Sequence, residues 1–251
     1  MNAGRNEWTS AGASERGRPR MSTDDALLER VDGRSGELVL RRRRGHLEVI
    51  LNGAFLISTE NDASSRAMVA AAGPHVAGEA LEVLIGGLGL GYALDEALSW
   101  THVAQVTVAE YEPTVVRWFR EHGGDRTSRA AAAESCGRAV IELADVADVL
   151  RARPDAWDLV SLDTDNGPEW LVREENAGLY SAAGAQLVRR ALRPGGVAVF
   201  WSPDRYPAFE AVLRSVFAGV EAVGAEDVVD GRRHDYAMYV CRRDGAGRGV
   251  G

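Results

Sequence analysis

Carboxylates follow several predicted strands, in positions where they could bind a ligand or move a proton. Glu110, Asp145 and Asp163 each come at or just beyond the end of a strand-like run, and Asp165 and Asn166 lie beyond Asp163. A carboxylate can accept hydrogen bonds from ribose hydroxyls. It can also hold an amine and take the proton that nitrogen loses when it attacks carbon. These residue types point to nucleoside binding and to amine chemistry.

Four glycines separate a predicted strand from a predicted helix. Gly86, Gly87, Gly89 and Gly91 would let the backbone approach a ligand closely, and the helix behind them presents N–H groups at its N-terminus. A turn of this kind is also typical of a tight strand-to-helix connection. Glu110 ends the next strand about 20 residues later, a spacing that suits a carboxylate on the ribose of a nucleoside.

Each acidic residue also has a purely structural interpretation. Glu110 could be a solvated strand end, Asp145 could cap the helix that follows it, and Asp163 and Asp165 could form a turn. Together with the glycines, however, they occur in order at the carboxyl ends of successive strands, where open α/β sheets bind ligands. We therefore interpret the set as a cofactor site, with Gly86, Gly87, Gly89, Gly91, Glu110 and Asp145 binding a nucleoside.

The elements that would position these residues alternate between strands and helices from residue 81 onward. The predicted strands are 81–85, 103–110, 138–142, 157–162 and 197–201, followed by 220–223 and 236–241. The predicted helices are 92–100, 113–122, 147–153, 181–192 and 207–216. This alternation indicates an α/β fold with a mostly parallel sheet and an antiparallel edge, as in the seven-stranded, Rossmann-type sheet of methyltransferases.

The residues before this sheet predict a small antiparallel β element. Alternating runs between residues 36 and 60 flank Asn52-Gly53, which is a strong hairpin signal. Residues 26–31 are expected to form a short helix or a lead-in, and residues 64–72 a helix.

The predicted organisation has four parts. It comprises a disordered tail over 1–25, a small β domain with a linking helix over 26–72, a cofactor-binding domain over 73–243 and a loose tail over 244–251.

Composition excludes several classes of function. The chain has 251 residues and a formal net charge of −8, which argues against a nucleic-acid binder. A run of four arginines, Arg41–Arg44, is interpreted as a solvated hairpin end rather than an anion-binding patch. The two cysteines and five histidines show no metal-ligand spacing. No apolar run approaches the roughly 20 residues of a membrane span, and no secretory signal is present, so we expect a cytoplasmic protein.

Most of the chain beyond the tails resembles the spermidine-synthase-like family. The matching segments are 51–53, 59–62, the glycine turn, 108–110, 144–145, 158–163 and 192–196. The resemblance implies a small N-terminal β domain, an S-adenosylmethionine-type Rossmann domain and a homodimer. It also implies that Glu110 binds the ribose, that Asp145 binds the adenine, and that Asp163 orients or deprotonates the attacking amine, with Asp165 or Asn166 assisting.

The chain departs from the aminopropyltransferases of this family at several positions. Gly89 stands where their glycine loop usually carries an Asp that grips the amine of decarboxylated S-adenosylmethionine. Ser65-Arg66 replaces a Tyr-Gln pair, and Leu56 and Ile57 lie near the place of a cofactor-contacting Gln. Glycine N–H groups beside a helix N-terminus suit a carboxylate, so the loss of the loop Asp favours intact S-adenosylmethionine as the donor.

The leading hypothesis is an S-adenosylmethionine-dependent transferase that moves a methyl or a 3-amino-3-carboxypropyl group to a small amine. One alternative is an aminopropyltransferase of the spermidine synthase type, which uses decarboxylated S-adenosylmethionine. A second alternative is a non-catalytic module that keeps the nucleoside site as a sensor or scaffold. The retention of both Glu110 and Asp163 argues mildly against this second alternative.

Overall fold

The first sheet is small and fully antiparallel. A computed structural model describes residues 25–60, 62–164, 174–229 and 232–245. Within it, strands lie in the order β1-β2-β3-β4. Their bounds are β1 Ala26–Gly33, β2 Gly36–Arg43, β3 His46–Leu51 and β4 Ala54–Ser58. The hairpin expected at Asn52-Gly53 joins β3 to β4, with φ angles of 50° and 80°, a left-handed pair that suits Asn and Gly.

Of the two alternatives for residues 26–31, a short helix or a lead-in, the helix was wrong. That segment belongs to β1, which pairs with β2 through Arg30 opposite Val39 and Val31 opposite Leu38. Its residues are mostly good helix formers, but pairing with β2 across the two-residue turn 34–35 overrides that preference.

The arginine run lies at the β2–β3 hairpin end, as expected. Arg41 and Arg43 pair with the carboxylate of Glu48 on the neighbouring strand, and Arg42 is exposed. Arg41 and Arg43 therefore link the two strands of the hairpin through Glu48.

The second sheet has seven strands in the order β10-β11-β9-β8-β5-β6-β7. Their bounds are β5 Leu81–Gly86, β6 Val103–Glu110, β7 Ala139–Leu143, β8 Trp157–Leu162, β9 Leu192–Ser202, β10 Gly219–Val229 and β11 Arg232–Arg242. Strands β5 to β9 run parallel, while β11 pairs antiparallel with β9 and β10. This is the α/β sheet with an antiparallel edge that the sequence predicts. Strands β10 and β11 are longer than expected because they pair with each other past the point where the neighbouring strand β9 ends its pairing with β11.

Seven α-helices occur within the described residues. Their bounds are α1 Ala63–Ala72, α2 Tyr92–Ser99, α3 Pro113–His122, α4 Asp125–Ser135, α5 Val146–Ala152, α6 Ala182–Ala191 and α7 Pro207–Val216. The sequence pattern did not predict α4. Its buried residues are the small Ala130 and Ala133, so it lacks the stripe of large apolar side chains by which an amphipathic helix is recognised. None of the helices described is both long and apolar enough to cross a membrane.

Three apolar clusters hold these layers together. One lies on the α1 and α2 face of the large sheet, and a second lies on the α5, α6 and α7 face. The third joins the two sheets: Leu38, Leu40 and Val49 of the small sheet pack with Leu90 and Trp118. Burial of this third cluster fixes the small sheet beside the carboxyl end of β5, where the glycine turn begins.

Candidate functional site

The glycine turn, residues 86–91, is a backbone structure that side chains would obstruct. Gly87, Gly89 and Gly91 have φ angles of 95°, 51° and 81°, in the region that favours glycine. A Cβ at Gly87 would lie 2.5 Å from the carbonyl oxygen of Asp163. The turn therefore lies in direct contact with the segment that leaves β8.

Gly86 and Gly91 pack closely against apolar side chains. A Cβ at Gly86 would lie 2.9 Å from Leu162 Cδ2, and one at Gly91 would lie 2.2 Å from the ring of Phe119. Neither residue lines the cavity described next, whereas Gly87 and Gly89 do. Close packing is thus a sufficient reason for glycine at positions 86 and 91.

A cavity lies between the small sheet and the carboxyl ends of the parallel strands. Glu110, Asp145 and Asp163, which come from three different strand ends, all line it. The structure thus brings together the three described acids that the sequence predicts as site residues. Asp165 and Asn166, the predicted assisting residues, lie outside the described residues.

Glu110 is held rigidly at the end of β6. Its Oε2 accepts a hydrogen bond from the N–H of Leu88 at 2.8 Å, and its Oε1 accepts one from the N–H of Glu112 at 2.7 Å. The residue is 8% exposed. Burial raises the pKa of the Glu110 carboxyl, and the nearby Glu112 adds to that effect, while the backbone donors oppose it. A fixed carboxylate at this strand end is suited to accept the hydroxyls of a ribose.

Asp145 has the capping geometry that the structural interpretation expects. Its Oδ1 accepts a hydrogen bond from the N–H of Ala147 at 2.8 Å and so caps the N-terminus of α5. The same residue lines the cavity. A carboxylate offers about four acceptor positions, so one that caps a helix can also accept a hydrogen bond from an exocyclic amine.

Asp163 lies where the large sheet meets α1. Its backbone N–H donates to the carbonyl of Gly86 at 3.0 Å, which fixes the start of the loop after β8. Its Oδ2 is 3.5 Å from the hydroxyl of Ser65, near the start of α1. Ser65 and Asp163 both line the cavity, so a ligand amine between them would meet a carboxylate and a hydroxyl.

The wall contributed by the small sheet is apolar. It consists of Leu38, Val49, Leu51, Leu56 and Ile57. A Cβ at Gly89 would lie 3.0 Å from Ile57 Cδ1, so this wall touches the glycine turn.

Sequence patterns missed Ser35 and Glu112 as lining residues. Glu112 precedes Pro113 at the start of α3 and caps that helix, so the acid-Pro pair is a capping signal. Ser35 lies in the turn between β1 and β2, and nothing in the sequence relates it to Glu112, because the two are brought together by tertiary packing.

The charge of the cavity is one-sided. Glu110, Glu112, Asp145 and Asp163 line it, and no Lys, Arg or His is found among the described lining residues. Such a lining favours a ligand that carries positive charge. Among the described residues, no group of three or more His, Cys, Asp or Glu could hold a metal ion.

Comparison with solved structures shows which fold this is. No protein-family model and no curated protein matches the sequence. A spermidine synthase from Thermotoga maritima is similar, with a TM-score of 0.69 and 15% identity over 88% of this chain and 73% of that one. A spermidine synthase in complex with the transition-state analogue AdoDATO is similar with a TM-score of 0.72 and 16% identity, over 88% of this chain and 74% of that one. A probable spermidine synthase from Corynebacterium glutamicum is similar with a TM-score of 0.64 and 19% identity, over 86% of this chain and 80% of that one. The chain has the fold of these proteins.

Proposed function

We propose that this protein is a transferase that moves an alkyl group from an S-adenosyl sulfonium donor to a small amine. The finer proposal is that the group is the aminopropyl group of decarboxylated S-adenosylmethionine. The observation that carries it is the single cavity in which Glu110, Asp145 and Asp163 meet around the glycine turn. The structural similarity to spermidine synthases supports the same conclusion.

Each acid has a distinct role in this proposal. Glu110 accepts hydrogen bonds from the ribose hydroxyls, and Asp145 accepts one from the adenine amine. Asp163 binds the acceptor amine and orients its lone pair toward the carbon attached to sulfur. Alignment of nitrogen, carbon and sulfur is the main contribution that a protein can make to such a displacement.

The reaction balances without a further reactant. A C–N bond forms as the C–S bond breaks, and the electron pair of the broken bond stays on sulfur, which leaves as a neutral thioether. The nitrogen becomes cationic as it attacks, and Asp163 takes or relays the proton that it then loses. Asp165 and Asn166, which follow Thr164 along the chain, are proposed to assist.

The acidic lining favours the decarboxylated donor. That donor carries positive charge on its sulfonium and its amine, and the four described carboxylates attract both. Intact S-adenosylmethionine would bring its own carboxylate into a cavity whose described lining holds no cationic side chain to pair with it.

Gly89 favours a second candidate function, transfer of a methyl or 3-amino-3-carboxypropyl group from intact S-adenosylmethionine. With φ of 51°, Gly89 lies in the turn that leads to the N-terminus of α2, where backbone N–H groups and the helix dipole attract an anion. A donor carboxylate could be held there by the backbone alone.

A transfer assay separates these candidates. The protein is incubated with each donor and a panel of small amines, and the thioether nucleoside product is identified by mass spectrometry. Methylthioadenosine formed from the decarboxylated donor, and lost in Asp163→Asn, would support aminopropyl transfer. S-adenosylhomocysteine or methylthioadenosine formed from the intact donor would support the second candidate. No product with either donor, from a protein that still binds nucleosides, would favour a non-catalytic binding module.

A further inference from the structure

Glu112 is a buried carboxylate whose described partners are backbone N–H groups. Its Oε2 accepts hydrogen bonds from the N–H of Arg34 at 2.7 Å and of Ser35 at 3.2 Å, and its Oε1 lies 3.4 Å from the N–H of Thr114. The residue is only 5% exposed. Arg34 and Ser35 belong to the turn between β1 and β2, so one side chain at the start of α3 holds a turn of the small sheet.

The turn is shaped to receive this carboxylate. A Cβ at Gly33 would lie 2.6 Å from Leu38 Cδ1 and 2.7 Å from Glu112 Oε2, so any larger residue there would force these side chains or the turn to move. Arg34 adds a second attachment, because its guanidinium donates to the carbonyl of Tyr111 at 3.2 Å and lies 5.6 Å from the centre of the Tyr111 ring. The three consecutive residues Gly33, Arg34 and Ser35 therefore all contact residues 111–112.

The same segment is joined to the proposed ribose acceptor. The N–H of Glu112 donates to Glu110 Oε1, so the backbone that carries Glu112 also fixes Glu110. Ser35, which Glu112 holds, lines the cavity together with Glu110 and Glu112. A continuous hydrogen-bonded path thus leads from the glycine turn at Leu88, through Glu110, to the β1–β2 turn.

We propose that Glu112 is a positioning residue that holds the β1–β2 turn against the ribose end of the cavity, so that Ser35 completes the nucleoside site. This inference rests on the proposed binding of an S-adenosyl nucleoside. The small sheet then has a binding role beyond covering the large one, and nucleoside affinity depends on an attachment between the sheets. If Glu112 served only as the cap of α3, replacing its carboxylate would leave the effect of the ligand on residues 34–35 unchanged.

Two variants disturb the attachment from opposite sides. Glu112→Gln keeps the side-chain volume but places an amide N–H₂ toward at least one of the backbone donors. Gly33→Ala keeps the carboxylate of Glu112 but crowds it and Leu38 Cδ1, so the fit between the turn and Glu112 is disturbed. Matched controls are Glu48→Gln, a buried carboxylate in the small sheet that pairs with arginines, and Gly224→Ala, where a Cβ meets nothing within 4 Å.

The test combines calorimetry with hydrogen exchange, using methylthioadenosine as the probe. We expect Glu112→Gln and Gly33→Ala each to weaken its binding by roughly tenfold, the effect of losing about one hydrogen bond, and the controls to change it less than twofold. In the wild type, the ligand should slow exchange of the Arg34 and Ser35 amides, and this protection should be lost in both variants.

Two other outcomes have distinct meanings. Unchanged affinity in both folded variants, or amides at 34–35 that do not respond to ligand in the wild type, would overturn the positioning role while leaving the proposed function intact. A wild-type protein that does not bind the probe would overturn both. If Glu112→Gln fails to fold, Ser35→Ala decides the matter, because it leaves the Glu112 side chain that caps α3 unchanged.

Discussion

The carboxylate of Glu110 accepts a hydrogen bond from the backbone N–H of Leu88 at 2.8 Å, and this contact ties the end of β6 to the glycine turn after β5. The acid and the turn are 22 residues apart in sequence but form one rigid unit. A nucleoside that contacts one of them therefore meets the other at a fixed distance.

Nucleoside binding should weaken in acid because of Glu110. Its pKa is raised by burial, and only the ionised form offers two oxygens as acceptors. We expect the affinity for methylthioadenosine to fall as pH decreases through that raised pKa, and to depend less on pH in Glu110→Gln. Calorimetry across a pH series measures this. An identical pH profile in the variant would contradict the assignment.

The same shift has the opposite sign for stability. Because the folded-state pKa of Glu110 lies above its unfolded value, its contribution to stability is fully present below the unfolded value and is lost as pH rises through the folded one. The unfolding temperature of the wild type minus that of Glu110→Gln, measured from acid to neutral pH, should decrease and so show this loss. A difference that grows in favour of the wild type with rising pH would refute it.

Asp163→Asn should reduce turnover and spare nucleoside binding. The amide cannot take a proton, and proton transfer of this kind contributes roughly 10²- to 10⁴-fold to rate. We therefore expect kcat to fall by about that factor while the dissociation constant for methylthioadenosine changes less than threefold. Ser65→Ala, which removes the hydroxyl near Asp163, should have a smaller effect on kcat. Equal losses in kcat and affinity would indicate that Asp163 is a structural residue.

Gly89→Asp should shift the choice of donor. Asp tolerates the left-handed conformation at this position better than most residues do. Its Cβ would meet Ile57 Cδ1 at 3.0 Å, a contact that a small movement of Ile57 relieves. The new carboxylate would attract the donor amine and repel a donor carboxylate. We expect the ratio of affinities for decarboxylated over intact S-adenosylmethionine to rise by at least tenfold, measured by calorimetry. An unchanged ratio would show that the donor tail does not approach this turn.

Gly91→Ala should destabilise the protein through packing. Its Cβ would lie 2.2 Å from the Phe119 ring, and its φ is 81°. Gly45→Ala is the matched control, since φ there is 84° and a Cβ meets nothing within 4 Å. Backbone strain should cost both variants about 1 kcal/mol, and overpacking should cost Gly91→Ala a further 1–3 kcal/mol or so. Denaturant unfolding measures the difference, and equal losses would show that Phe119 moves aside freely.

The fold could be predicted where a local pattern carries it. The apolar strands β5, β6 and β8 and the amphipathic helices α3 and α7 have clear periodicity. Their order then dictates a parallel sheet with acids at one edge. Helix α4 was missed because its buried face consists of alanines, and β1 was missed because its residues are mostly good helix formers, a preference that pairing with β2 overrides.

The site could be predicted only in part for the same reason. Glu110, Asp145 and Asp163 follow strand ends, and strand ends of a parallel sheet meet at one edge. Ser35 and Glu112 are separated by 77 positions, and only docking of the small sheet brings them together. Sequence spacing within one sheet carries no information about a contact between two sheets.

The most direct test is calorimetric titration of the purified protein with S-adenosylmethionine, its decarboxylated form and methylthioadenosine, each repeated with Glu110→Ala. We predict that the wild type binds these nucleosides, that the decarboxylated donor binds more tightly than the intact one, and that Glu110→Ala loses at least tenfold in affinity for each. Tighter binding of the intact donor would shift the proposal to methyl or carboxypropyl transfer. Absence of binding to all three nucleosides would contradict the cofactor site itself and leave only the fold.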